Sequence, residues 1–188
     1  DHVGNNRGME NHPIIGFNYR ISELHAAVGA AQTRKVPQIR EINRKYKKRM
    51  MEQLGQVPGA SFAHIPDPAG DSATFLNLLL PDTATAKKTV DLFNQNGIGG
   101  FNYWFINMYH FINQWDHLKN LKTAAPLPIH LLGAPQDYNN LHLPKSQEVV
   151  GRLISFGIRC SWKEEELEQL IGKIKVSLEK ALGVHAHA

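Results

Sequence analysis

Gly16-Phe17-Asn18-Tyr19-Arg20-Ile21-Ser22-Glu23-Leu24-His25-Ala26-Ala27-Val28-Gly29 is the stretch that decides the fold of this chain. A polar, extended lead-in (Asn18, Tyr19, Arg20) meets a helix start at Ser22, followed by a run of small residues. Ser22 is placed to cap that helix, and Glu23 faces the helix dipole from the first turn. Leu24, Ala27, Val28 and Ala31 recur at i, i+3, i+4 and i+7, which is one face of a helix. Ala26, Ala27, Gly29, Ala30 and Ala31 keep the cylinder thin, so another backbone can come close. The spacing predicts a helix packed hard on a neighbour, with polar side chains presented at its N-terminal end.

From Gly16 to Gln32 the chain closely resembles the signature of the DegT/DnrJ/EryC1/StrS sugar aminotransferases, roughly G-x-N-Y-R-(M/I/L)-S-E-(L/I/M)-x-A-A-x-G-x-A-Q. The resemblance implies a pyridoxal 5'-phosphate (PLP) enzyme of the aspartate-aminotransferase fold, fold type I, working as a homodimer. It also implies that the motif asparagine reaches across the dimer to the cofactor phosphate of the neighbouring subunit, with the motif arginine close by. By position these are Asn18 and Arg20.

A PLP enzyme needs a lysine to hold the aldehyde as a Schiff base, and an acid to keep the pyridine nitrogen protonated. In the family both lie upstream of the motif, the lysine in an H-x-x-K-type setting before a Gly-rich stretch. No lysine here has that setting: Lys35, Lys45, Lys47 and Lys48 fall on a charged helix, and Lys173, Lys175 and Lys180 on the last one. The expectation is a C-terminal part of a longer enzyme, whose N-terminal part carries the lysine. Alone, this piece is expected not to transaminate, and no catalytic residue is assigned within it.

Length and composition agree with a soluble, folded piece. Its 188 residues suffice for a sizeable core. Hydrophobic content of 42% and charged content of 20% are ordinary for globular chains. Cys160 is the only cysteine, which excludes an internal disulfide and fits a reducing, cytoplasmic setting. No apolar run approaches the roughly 20 residues that span a bilayer, so no membrane partner is expected.

Between Thr33 and Arg49 eight basic residues (Arg34, Lys35, Arg40, Arg44, Lys45, Lys47, Lys48, Arg49) oppose Glu41 alone. That segment carries +7, leaving −3 for the rest against the net +4. Nucleic-acid binding would want interleaved aromatics, and only Tyr46 is present. Ile39, Ile42, Tyr46, Met50 and Leu54 recur at helical spacing, so the charges read best as a solvated opposite face. Attraction for a phosphorylated or nucleotide-linked sugar is the second reading.

Along the chain, Asp1–Phe17 reads as loop and a first helix as Ser22–Thr33, interrupted or kinked at Pro37 and resuming to Leu54. Residues 1–54 would close the cofactor domain and supply the linking helix; 55–188 would form a small α/β domain with a mostly antiparallel sheet. There, Pro58-Gly59 turns into a short strand near Ala60–Ile65, and Thr74–Leu80 reads as a buried strand. Thr83 or Thr85 caps a helix that Asn96-Gly97 ends, and Ile98–Phe105 looks extended. A short helix marked by Trp115 and Leu118 interrupts an irregular stretch from Asn107 to Tyr138. Ser146–Ile154 reads as helix, Phe156–Cys160 as strand, and Ser161 as the cap of a last helix with Leu167, Leu170, Ile171, Ile174 and Leu178 inward. His185–Ala188 is expected to fray.

The ten histidines show no H-x-x-x-H spacing with a carboxylate in place, so no metal site is assigned. Phe101-Asn102-Tyr103-Trp104-Phe105, with Asn107, Tyr109 and His110, sets aromatic faces beside amide and hydroxyl groups, as sugar rings require. Trp104, Asn107 and His110 are the candidate substrate contacts; an aromatic core between small and large domains is the competing reading.

Ile154-Ser155-Phe156-Gly157-Ile158-Arg159-Cys160-Ser161-Trp162 departs from the family's common L-S-L-P-L-H-P strand. Together with Ile65–Ala73 and Leu143–Ser146 it is similar to the enzymes that aminate the terminal carbon of an octulosonate, a Kdo-type sugar acid. The resemblance then implies an eight-carbon keto or aldehyde sugar acid destined for lipopolysaccharide, and glutamate as amino donor. A nucleotide sugar is the other substrate. Two rivals remain: a PLP-dependent sugar dehydratase with histidine in place of the lysine, and a non-catalytic interaction module that keeps the small domain.

Overall fold

The computed structural model describes residues 21–106, 111–120 and 137–184. The chain divides into two units, 1–39 and 40–188. Helix α1 spans Glu23–Leu54, and the division falls inside it. Its start is as expected: the Ser22 carbonyl accepts from the Ala26 N–H at 2.9 Å, and Ser22 Oγ accepts from the His25 N–H at 3.3 Å. The expected interruption at Pro37 is not found, for one helical element runs through it. Proline forfeits its own bond to the carbonyl four residues back and crowds that carbonyl, and the helix-forming runs on both sides outlast that cost.

The second unit is built on a four-stranded sheet with order β1-β2-β4-β3 and every neighbouring pair antiparallel. Its strands are β1 (Ser61–Phe62), β2 (Phe75–Leu79), β3 (Phe101–Asn102) and β4 (Leu153–Gly157). Between β2 and β3 lies α2 (Thr83–Gln95); α3 (Asp116–Lys119) and α4 (Pro144–Gly151) precede β4, and α5 (Glu164–Leu182) follows it. The mixed α/β reading with an antiparallel sheet therefore holds.

Period-two alternation divides the sheet. Leu76, Leu78, Ile154 and Phe156 are fully buried on one face. They join Met50 and Leu54 of α1, Phe93 of α2, and Leu167, Ile174 and Leu178 of α5 in one core, a helix layer on a sheet. Burying each large side chain contributes roughly 1.5–3 kcal/mol. The other face carries Phe75, Asn77, Ser155 and Asn102, where the candidate chemistry lies.

Several local expectations are corrected. The cap of α2 is Asp82, not Thr83 or Thr85: its carboxylate accepts from the Thr85 N–H at 2.7 Å, which holds its pKa below the ordinary range. The end of α2 is as read, with Gly97 at φ +64, its N–H on Asn94 O and the Ile98 N–H on Phe93 O. Only Phe101–Asn102 of the extended reading is strand; Trp104–Ile106 coils into a 3-10 turn. α4 stops at Gly151 and β4 takes Leu153 and Ile154, because both pair with β2 (Leu153 opposite Leu79, Ile154 opposite Leu78). Strand β4 thus ends at Gly157 rather than Cys160. The last helix is capped at Lys163, whose N–H donates to the Glu166 carboxylate at 2.8 Å, rather than at Ser161. The loop Asp1–Phe17 and the tail His185–Ala188 lie outside the described residues, as does most of the irregular stretch after Ile106.

Candidate functional site

Asn18 and Arg20 lie outside the described residues, as do Asn107 and His110. The described part of the motif is its helix. There Leu24 is 74% and Val28 55% exposed, so the apolar stripe expected to pack hard stands open to solvent in this chain.

The basic segment is anchored as well as solvated. Lys47, expected on the wet face, is buried, and its Nζ donates to Asp71 Oδ2 at 2.6 Å. Arg44 Nε donates to the Asp71 carbonyl at 2.9 Å, and its Nη2 to the Ala69 carbonyl. Burial alone would raise the Asp71 carboxyl. The hydrogen bonds from Lys47 and the Ala73 N–H, with the charges of Lys47 and Arg44, outweigh it and hold the group below the usual carboxylate range. Lys45 and Arg49 pair with Glu164 and Glu168 of α5. Four of the eight cations are thus committed to holding residues 40–54 of α1 within the second unit. Lys47, a buried lysine, is held by a carboxylate and is in no position to serve as a Schiff-base amine.

Trp104 is half-buried, and the aromatic run around it is split by its turn. Tyr103 is buried, donating its hydroxyl to the Gly151 carbonyl at 2.6 Å. Phe101 packs edge-on to Phe93, and Phe105 stacks on Phe111. Tyr103 belongs to the core of the second unit, and Phe101 and Phe105 pack against it, partly buried. Trp104 instead lies against the opposite sheet face, its Nε1–H donating to Ser155 Oγ at 2.7 Å, its ring edge-on to Phe75. Ser155 Oγ donates onward to Asn77 Oδ1 at 2.7 Å.

Ser155, Asn77 and the Lys47–Asp71 pair were not picked out from the sequence. A signal existed for two of them: Asn77 between Leu76 and Leu78, and Ser155 between Ile154 and Phe156, are polar residues alternating with fully buried ones. A cleft lined by Lys47, Phe62, His64 and Asn77 has about 40 Å³, room for water rather than a sugar.

The model of the DegT/DnrJ/EryC1/StrS aminotransferase family matches residues 2–175. The chain belongs to this family. Among solved structures it is similar to Helicobacter pylori PseC, an aminotransferase involved in the biosynthesis of pseudoaminic acid, at 16% identity and a TM-score of 0.59, covering 95% of this chain and 43% of that one. DesV from S. venezuelae, solved in complex with a ketimine intermediate, matches at 15% identity and a TM-score of 0.62 over 93% of this chain and 41% of DesV. The aminotransferase TlmJ from Streptoalloteichus hindustanus matches at 16% identity and 0.59, over 85% and 37%. At such identities the likeness is one of fold. This member of the DegT/DnrJ/EryC1/StrS family spans about two fifths of the length of the solved structures it matches. Among its described residues no helix is long and apolar enough to cross a membrane.

Proposed function

We propose that this chain is the C-terminal part of a PLP-dependent aminotransferase that aminates a keto or aldehyde sugar with an amino-acid donor, glutamate being the best candidate. The observation that carries the reading is the family match over residues 2–175, which includes the complete block Gly16–Gln32. PLP supplies the electron sink through which an amino group passes from amino acid to sugar carbonyl. The donor set suits that cofactor's phosphate: an amide at Asn18 and a guanidinium at Arg20, just ahead of a capped helix start. Glu23 already places a negative charge in the first turn, so the side chains before the helix are the natural partners of a dianion.

In this reading residues 1–54 end the cofactor domain and 55–188 form the small domain. The molecule is a homodimer, the motif serves the neighbouring subunit's cofactor, and the lysine resides in the N-terminal part of the complete enzyme. The finer assignment is a Kdo-type octulosonate for lipopolysaccharide, supported by Ile154–Trp162, Ile65–Ala73 and Leu143–Ser146; a cytoplasmic setting goes with it. The test is Asn18→Ala in the complete enzyme, with PLP affinity and glutamate-dependent sugar amination as readouts. Weakened PLP retention is expected. Unchanged cofactor affinity would overturn the role of Asn18, and sugar deoxygenation without amination would mark a dehydratase. A complete protein that takes up no PLP would be an interaction module.

A further inference from the structure

Just past the end of β4, Ile158 still gives its N–H to the Thr74 carbonyl at 2.9 Å and is buried in the core. The next residue, Arg159, is exposed, as strand alternation requires. Its carbonyl accepts from the Trp162 N–H at 3.2 Å, which turns the chain there. Its head group lies beside Gly100: a β-carbon on that glycine would stand 3.9 Å from Arg159 Nη2 and meet no other atom within 4 Å beyond its chain neighbours. Gly100 has φ +77, and its carbonyl accepts from the Gly157 N–H at 3.0 Å, which ties this turn to β4. A β-carbon on Gly99 would meet nothing within 4 Å. Both glycines are exposed, so nothing crowds the guanidinium from that side. Among the described residues the Gly99 and Gly100 N–H groups meet no acceptor, and the guanidinium meets no carboxylate. Arg44, Lys45, Lys47 and Arg49, by contrast, are all engaged.

An uncommitted guanidinium beside free backbone N–H groups on a glycine turn is a donor set for an oxyanion. The geometry points to Arg159 as a specificity-determining residue that, with the Gly99–Gly100 turn beside it, takes the carboxylate of a sugar acid. The inference rests on the sugar-transaminating reading above and deepens it. Aligned on Ser155, the family's common strand L-S-L-P-L-H-P has histidine where this chain has Arg159. Histidine is mostly neutral near pH 7, whereas arginine stays charged and offers a flat fork that matches a carboxylate. Every transaminating member needs an amino donor, so a departure from the shared pattern belongs with the sugar rather than with the donor. A neutral or nucleotide-linked sugar has no carboxylate to place there.

The test uses the complete enzyme, with three probes: the terminal aldehyde of an octulosonate, the methyl ester of the same sugar, and glutamate. Arg159→Met keeps the apolar stem and removes the charge; the side chain is exposed and unpaired, so the melting temperature should not move. The variant should raise the KM of the sugar acid about tenfold, the scale of a charge-assisted hydrogen bond. It should change the KM of the ester and of glutamate by less than about twofold, so that the preference for acid over ester collapses. Arg159→Lys, which keeps charge without the fork, should fall between wild type and Arg159→Met. Equal rises for acid and ester would show that no carboxylate is read there and would overturn the proposal. A rise confined to glutamate would move Arg159 to the donor and overturn it as well. Unchanged KM values with amination intact would overturn the site and leave the aminotransferase reading standing. A wild-type enzyme that aminates only neutral or nucleotide-linked sugars would do the same, and one that aminates no sugar would remove both readings.

Discussion

Lys47 Nζ meets Asp71 Oδ2 at 2.6 Å across 24 residues of chain, and the pair pins the turn before β2 onto α1. Asp71 Oδ1 accepts from the Ala73 N–H at 3.1 Å, and Ala73 is buried with φ at +55, a left-handed conformation that a non-glycine residue adopts at a cost. The ion pair therefore holds a strained turn as well as neutralising a buried lysine. Removing the carboxylate leaves the ammonium buried and unpaired. Asp71→Ala should destabilise the chain by about 2–3 kcal/mol in urea denaturation, between the cost of exposed and of fully buried pairs. Glu168→Ala, which breaks an exposed pair with Arg49, should cost at most about 1 kcal/mol. Equal losses would show that burial adds nothing to the Lys47 pair.

The same carboxylate sets an acid limit. Its pKa in the folded state is depressed, so the unfolded chain takes up the proton first as pH falls through the ordinary aspartate value near ~3.9. The stabilisation is fully present above that value and disappears as pH falls through the folded value. Melting temperature measured from pH 7 to about pH 3 should therefore drop less steeply at the acid end for Asp71→Asn than for wild type, from a lower start. Parallel curves would show that other carboxylates govern acid unfolding.

Much of the fold was legible because local chemistry and tertiary need agreed. The Asn96-Gly97 end of α2, the Thr74–Leu80 strand and the inward stripe of α5 all follow from patterns within a few residues. Misreadings arose where distant pairing decided. Leu153 and Ile154 carry helical spacing from α4, yet their partners on β2 draw them into β4. Lys47 reads as one charge among eight until Asp71 arrives from 24 residues away. Of the candidate site, the motif was legible as chemistry, and Trp104 was legible as an aromatic. Its attachment to Ser155 needed the sheet register, which no single segment contains.

Gly97 offers a clean check on one of these local readings. A β-carbon there would meet nothing within 4 Å, so the only penalty for a side chain is the left-handed φ of +64. Gly97→Ala should cost about 1–2 kcal/mol by thermal or urea unfolding, with native-like circular dichroism. Gly172→Ala, on α5 and equally free of neighbours within 4 Å, keeps a helical conformation and should stabilise by about 0.5–1 kcal/mol instead. Opposite signs for the same substitution at two open sites would isolate backbone conformation as the cause. The same sign at both would reject it.

The stripe on the first part of α1 calls for a comparison between chain and complete enzyme. Leu24 and Val28 are mostly exposed in this chain, so Leu24→Gln and Val28→Gln should change its own stability by less than about 0.5 kcal/mol. In the proposed homodimer the same stripe, thinned by Ala26, Ala27, Gly29 and Ala30, would be covered by the rest of the assembly. Each large apolar residue buried there contributes roughly 1.5–3 kcal/mol. The double variant of the complete enzyme should then sediment increasingly as monomer on dilution and release PLP in parallel, because Asn18 and Arg20 precede the stripe by only a few residues in sequence. A complete enzyme that stays dimeric and retains its cofactor with both glutamines in place would show that this face packs on nothing in the assembly.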